Sequence, residues 1–259
     1  PKLLTHKSAL AFTMLLCSLL GSALGTEPFS TMDSYLAEGR YDLAVQVEGP
    51  RLIEAYPQEA EAFFLYSHAL YLTGNSQEAR LHIDRALALS PDEPRYRWLE
   101  ALIGAEEGHA KSAEDTLQTL FDSIPSYSLA MDWGRVAWQA GDYDGAISAF
   151  KAAQQTEEGR VQAWPYLNEA RLLGYLDRYE EAIEVLQTAI DILETTDTGD
   201  TTLPSPNPAY VEAIYLVGEA YERLEQYEEA IANYYSALLY DPLHQPSRLA
   251  LNRLEEQSR

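Results

Sequence analysis

Residues 74–91 read Gly74-Asn75-Ser76-Gln77-Glu78-Ala79-Arg80-Leu81-His82-Ile83-Asp84-Arg85-Ala86-Leu87-Ala88-Leu89-Ser90-Pro91. Residues 108–125 repeat the same skeleton. Gly74 and Gly108, Ser76 and Ala110, Ala79 and Ala113, Ile83 and Leu117, Ala86 and Leu120, and Pro91 and Pro125 pair off, each 34 residues apart. Between the glycine and the proline, apolar residues recur three or four apart, the spacing of one helix face. The proline stops the helix, because it cannot continue one without losing a hydrogen bond. Two units in one register at six positions are a repeat, and a repeat of this length means stacked helix pairs.

Working outward, further copies appear. Trp133, Gly134, Ala137, Gly141, Tyr143, Ala146, Phe150 and Ala153 form one. Tyr166, Ala170, Tyr179, Ala182, Leu186 and Ala189 form the next. Gly218, Tyr221, Tyr227, Ala230, Tyr234, Ala237 and Pro242 form the last complete one. In these last two, Asp177 and Glu225 stand at the glycine position. A degenerate first copy holds Gly39, Tyr41 and Ala44, and its second helix carries Gly49-Pro50, which predicts a kink. One unit cannot bury its own apolar face, so the units must stack. The pattern resembles the tetratricopeptide repeat (TPR), and Glu225 to Ile231 is similar to that family's G-x-Y-x-E-A-I turn. The resemblance implies an all-α, right-handed α-solenoid of about six helix-turn-helix units. Units one to five would occupy 26–194 and the sixth 209–244, with a polar capping helix over 245–259. The stretch 195–208, rich in Thr, Asp, Gly and Pro, has no helical period and predicts an inserted loop.

Before the repeats, Lys2, His6 and Lys7 precede an apolar run from Ala9 to Leu20, and Ala23 and Gly25 are small. That order reads as a secretory signal peptide over 1–25, with a periplasmic or extracellular destination. The run is too short to span a bilayer; an uncleaved anchor or a buried helix is the alternative. Leu16 before Cys17 is too bulky for lipid attachment at that cysteine, the only one in the chain. The chain carries 18 basic residues against 41 acidic, a net charge of -23. Such a surface repels phosphates and anionic lipid, which argues against nucleic acid as a partner. Nothing after the apolar run is long and apolar enough to cross a membrane.

Motifs of catalysis are absent. Asp197-Thr198-Gly199 has the letters of an aspartic protease loop, but that chemistry needs two aspartates from two such loops. Asp197 and Asp200 could hold calcium, yet the glutamate of an EF-hand loop is missing. His68, His82, His109 and His244 are scattered one per unit, with no metal-ligand spacing. The expectation is no enzyme, no metal and no cofactor.

In the resembled family the first helix of each unit lines a concave groove. Carried across unit by unit, the groove positions include Phe64, His68, Tyr71, Arg95, Trp98, Arg135, Trp138, Trp164, Arg171, Tyr175 and Tyr215. Tyr, Trp and Arg are the residues that most often anchor binding. The family's chaperone-binding members use a lysine and asparagine clamp; Phe64, His68, Trp98 and Leu102 stand there instead. The resemblance implies a scaffold for a protein or peptide, with an acidic or C-terminal carboxylate paired to Arg135 and Arg171. Service in envelope assembly or secretion is the leading expectation. An accessory subunit of an enzyme complex and a glycan-binding groove are the alternatives. The sequence leaves the oligomeric state open.

Overall fold

The structure is a computed structural model that describes residues 28–196 and 208–257. The expected signal peptide and the Asp197-Thr198-Gly199 stretch lie outside the described residues. The described residues form helices joined by short turns, with no strand among them. Helix α1 is Ser30–Ala37, and α2 runs through Tyr41–Leu43, a π segment Ala44–Glu48 and Gly49–Ala55. Then follow α3 (Ala60–Leu72), α4 (Ser76–Leu89), α5 (Pro94–Glu106), α6 (Ala110–Ser123) and α7 (Tyr127–Ala140). The remainder is α8 (Tyr143–Gln155), a 3-10 turn Gly159–Val161, α9 (Trp164–Tyr175), α10 (Tyr179–Thr196), α11 (Pro208–Arg223), α12 (Tyr227–Tyr240) and α13 (Gln245–Gln257). The chain divides after Asp142 into two compact units.

Each hairpin turn is built in one way. Gly39, Gly74, Gly108 and Gly141 have φ between 71° and 95°. Asp177 and Glu225 hold the same left-handed conformation at φ 58° and 60°. The N–H that follows each donates back five residues, from Asn75 to the Leu70 carbonyl at 2.9 Å and from Gln226 to the Tyr221 carbonyl at 2.9 Å. This is the 6→1 bond that closes a helix and satisfies a carbonyl that would otherwise be orphaned. Five residues after each left-handed position stands an alanine: Ala44, Ala79, Ala113, Ala146, Ala182 and Ala230, all buried. At Ala44, Ala79, Ala113, Ala182 and Ala230, whose hairpins lie within one unit, a larger side chain would push the second helix off the first.

The first unit packs around Met32, Leu36, Leu52, Phe64, Leu70, Ile83, Leu99 and Ile103. In α4 the buried residues are Ala79, Ile83 and Ala86, spaced four and three as one helix stripe. The kink expected at Gly49-Pro50 is replaced by a specific local form. The helix continues through it, with the π turn immediately before. Pro50 has no N–H to donate, and the Gly49 N–H reaches back to the Ala44 carbonyl. Gly49 lies against the ring of Tyr66, so closely that an added Cβ would overlap the ring's edge. Glu48 is buried beside it and accepts from Arg51 Nε at 2.8 Å.

The second unit packs Val211, Ile214 and Ala237 together, and Ala230 and Tyr234 against Ala250, Leu251 and Leu254 of α13. Buried Glu169 is matched by Gln154 at 2.6 Å and Lys151 at 3.5 Å. Gly218 gives room to the Tyr234 ring, which a Cβ would approach to 2.8 Å.

Candidate peptide-binding face

The eleven residues expected on the first-helix face fall into two sets, one in each unit. In the first unit most are committed to their neighbours. Phe64 is buried between the rings of Tyr96 (centroids 4.9 Å) and His68 (6.0 Å), with the Arg95 guanidinium 5.2 Å from its own centroid. Burial pushes the His68 imidazole down to about 3. Arg95 on α5 forms a two-pronged bond to Glu61 on α3, at 3.0 and 2.9 Å, and a third to Glu93 at 3.1 Å. The Tyr96 hydroxyl donates to the same Glu61 at 2.9 Å.

One turn further along α5, Trp98 is buried and donates its indole N–H to Asp132 on α7 at 3.0 Å. Arg135 lies 3.6 Å from that carboxylate and hydrogen-bonds Tyr71 of α3. Burial pushes the Tyr71 phenol up to about 12, against the pull of Arg135. It also raises the Asp132 carboxyl above its usual range, which Arg135 and Trp98 oppose. Gln139 donates to the Ala105 carbonyl at 2.7 Å. Trp138 is half-buried on the same helix. The 34-residue period thus recurs as contacts: Glu61 to Arg95, Trp98 to Asp132, Ala105 to Gln139.

In the second unit the face is more open. Trp164 is 39% exposed and Tyr175 is 50% exposed. The Tyr175 ring meets Tyr143 edge-on at 5.3 Å. Arg171 on α9 pairs with Glu212 on α11 at 2.6 Å. Tyr215 sits between Tyr234 (5.8 Å) and His244 (5.3 Å), and burial pushes its phenol up to about 12. Glu212, Tyr215, Glu219 and Glu222 follow at helical spacing along one side of α11. Burial raises the Glu219 carboxyl, and the charges of Glu212 and Glu222 add to the rise. Glu222 is held by Arg253 at 2.8 and 2.9 Å and by the Tyr234 hydroxyl at 2.6 Å.

Phe64, His68 and Trp98 are therefore buried as they stand, while Arg95, Arg135 and Arg171 each face an acid of this chain. Glu61 and Glu212 stand at the same carried-across groove positions; what sequence reasoning missed is Asp132 and the pairing of each arginine with an acid. The Glu61–Arg95 pair could have been found, since the two occupy the same repeat position with opposite charge. Among the described residues no group of three or more His, Cys, Asp or Glu is placed to hold a metal ion. No described helix is long and apolar enough to cross a membrane.

Comparison with known proteins bears on this fold. One tetratricopeptide-repeat model matches residues 32–94 and 131–166, and a second matches 165–192 and 211–242. The chain is 25% identical over 201 residues to the DnaJ homolog subfamily C member 7 homolog of Schizosaccharomyces pombe. That match covers 77% of this chain and only 35% of the relative, so the chain spans about a third of its length. Among solved structures, YrrB, described as a TPR protein with an unusual peptide-binding site, superposes with a TM-score of 0.58 at 16% identity. It covers 79% of this chain and 97% of its own. The APC/C hetero-tetramer Cut9-Hcn1 gives 0.62 at 16% identity, over 96% of this chain and 46% of that one. A MamA structure gives 0.55 at 20%, over 66% of this chain and 100% of that one. At such identities the likeness is one of fold. The repeat models together span more than half of the sequence, and the chain belongs to the tetratricopeptide-repeat family.

Proposed function

We propose that this protein is an exported scaffold that holds a segment of a protein partner on its first-helix face, in the service of envelope assembly or secretion. Export is read from the basic start, apolar run and small residues of the first twenty-five positions. A peptide as ligand is supported by the family and by YrrB, whose description names a peptide-binding site. The observation that carries the reading is the pair of exposed rings, Trp164 and Tyr175, beside the Arg171–Glu212 bond and Glu219. Aromatic surface of this kind gives large contact area at small entropic cost.

The resident acids change the partner expected. A carboxylate arriving at Arg135 or Arg171 must compete with Asp132 or Glu212. An arriving lysine or arginine meets Glu219, which has no ion pair among the described residues. The segment held is therefore one with a cation beside apolar residues. The test is cross-linking of the tagged chain in its native envelope, beside a Trp164→Ala, Tyr175→Ala, Glu219→Gln variant. A partner captured by the parent and lost by the variant supports the reading. A partner held equally by both removes the first-helix face from it.

A further inference from the structure

At two outward positions α12 is unlike every other second helix described between α4 and α10, although α4 exposes Leu81 at a neighbouring one. Counted from the left-handed turn residue, Tyr235 is the tenth position onward and Leu239 the fourteenth. The tenth position holds Asp84, Gln118, Lys151 and Gln187 in α4, α6, α8 and α10. The fourteenth holds Ala88, Asp122, Gln155 and Asp191. All eight are exposed although further repeats follow them. Exposure at these positions is thus a property of the repeat, not of a chain end. Only in α12 is it filled by large apolar side chains: Tyr235 is 56% exposed and Leu239 80%, and Leu243 just beyond is 74%.

We infer that this stripe is a second docking surface, and that its occupant is an amphipathic helix with an apolar face and a lysine- or arginine-bearing end. Ala232, Tyr235 and Leu239 are spaced three and four along α12, the seam that one helix presents to another, and Leu243 follows in the turn beyond its end. The exposed apolar area is on the order of 400 Å², the size of the largest patch on a typical soluble monomer, which is often functional. That falls short of the ~800 Å² that each partner buries in a standard interface. A second copy would also bring together two chains of net charge -23. A single helix fits the strip, and its charge is set by Glu225, Glu228 and Glu229 at the start of α12. These three are exposed and form no ion pair among the described residues.

The probe is a fluorescein-labelled 21-residue helix with leucine at both seam positions of each heptad and lysine along one flank. Its controls are a scrambled sequence and a version with glutamate for lysine. Binding to the full chain is read by anisotropy, beside a Tyr235→Gln, Leu239→Gln variant. Both substituted side chains are exposed, so the variant keeps its helicity and melting temperature. The expected result is that the lysine helix binds, the controls do not, and the variant weakens binding by about tenfold or more, ~1.4 kcal/mol. Equal binding to parent and variant overturns the inference, as does failure of the lysine helix to exceed its scramble. Binding lost in the Trp164→Ala, Tyr175→Ala variant instead would assign the helix to the first-helix face. Sedimentation that shows a dimer abolished by Tyr235→Gln and Leu239→Gln would make the occupant a second copy and overturn it too.

Discussion

All four hairpin turns of the first unit put glycine at the left-handed position; both turns of the second put an acid there. The backbone does the same thing in either case, down to the 2.9 Å bond that closes it. The conformation is thus imposed by how the two helices must meet, and the residue only sets its cost. Glycine adopts φ near +75° freely, whereas a side chain costs about 1 kcal/mol or more. Asp177 has a use for its carboxylate, which accepts from Tyr179 and lies 3.3 Å from Arg223 of α11. Glu225 shows no such contact in the turn. The units also differ inside. The first spends its polar groups on contacts at the repeat period, and the second leaves rings and a carboxylate open.

The largest blow to the first unit is at its π segment. Gly49→Ala drives a methyl into the Tyr66 ring and should cost about 3 kcal/mol, while Gly218→Ala, where the ring stays at 2.8 Å, should cost about 1 to 2. Urea unfolding of both variants checks the order, and a smaller loss at Gly49 would show that Tyr66 can swing away.

Next is acid. His68 in the first unit titrates near 3 when folded and near 6.5 when unfolded, so the unfolded chain binds the extra proton. Stability attributable to it is full above pH 6.5 and falls as the pH drops toward 3. Between pH 7.5 and 5 the loss should be about 2 kcal/mol. Asp132, raised by burial, has the opposite sign and loses stability as pH rises through its folded value. The parent-minus-His68→Phe difference isolates the histidine. If that difference does not change with pH, the assignment fails.

The turns give the smaller effects. Gly108→Glu should cost about 1 kcal/mol, and Glu225→Gly should return roughly 0.5 to 1, read as opposite shifts in melting temperature. For Asp177→Gly the gain in the turn is set against a lost exposed contact to Arg223, and the net change should lie within about 0.5 kcal/mol. A Glu225→Gly variant that melts lower than its parent would mean that the glutamate has a partner in the turn after all.

Much of this architecture is written in the spacing. The run from a turn residue to an alanine five later, present six times, places every hairpin, and the prolines after α4 and α12 place their ends. The π turn was not legible: Gly49-Pro50 announces a disturbance, but its form depends on Tyr66, which arrives from another helix. The face was legible only in part. Its rings were found by position, but burial of Phe64 and Trp98 is decided by Tyr96 and Asp132, one repeat away. The arginines looked available because charge was read one helix at a time. Read down the period, Glu61 and Arg95 already describe a pair. The stripe on α12 stood in plain letters, and needed only the other second helices beside it.

Contacts that recur every 34 residues join each repeat to the next, and the Tyr71–Arg135 bond reaches one repeat further. Such a chain has no keystone. Lengthening it by one module, or recombining modules between relatives, preserves every rule by which the remaining ones meet. The open rings of the second unit and the apolar strip of α12 are then the parts free to be rewritten, a vocabulary carried on a grammar that does not change.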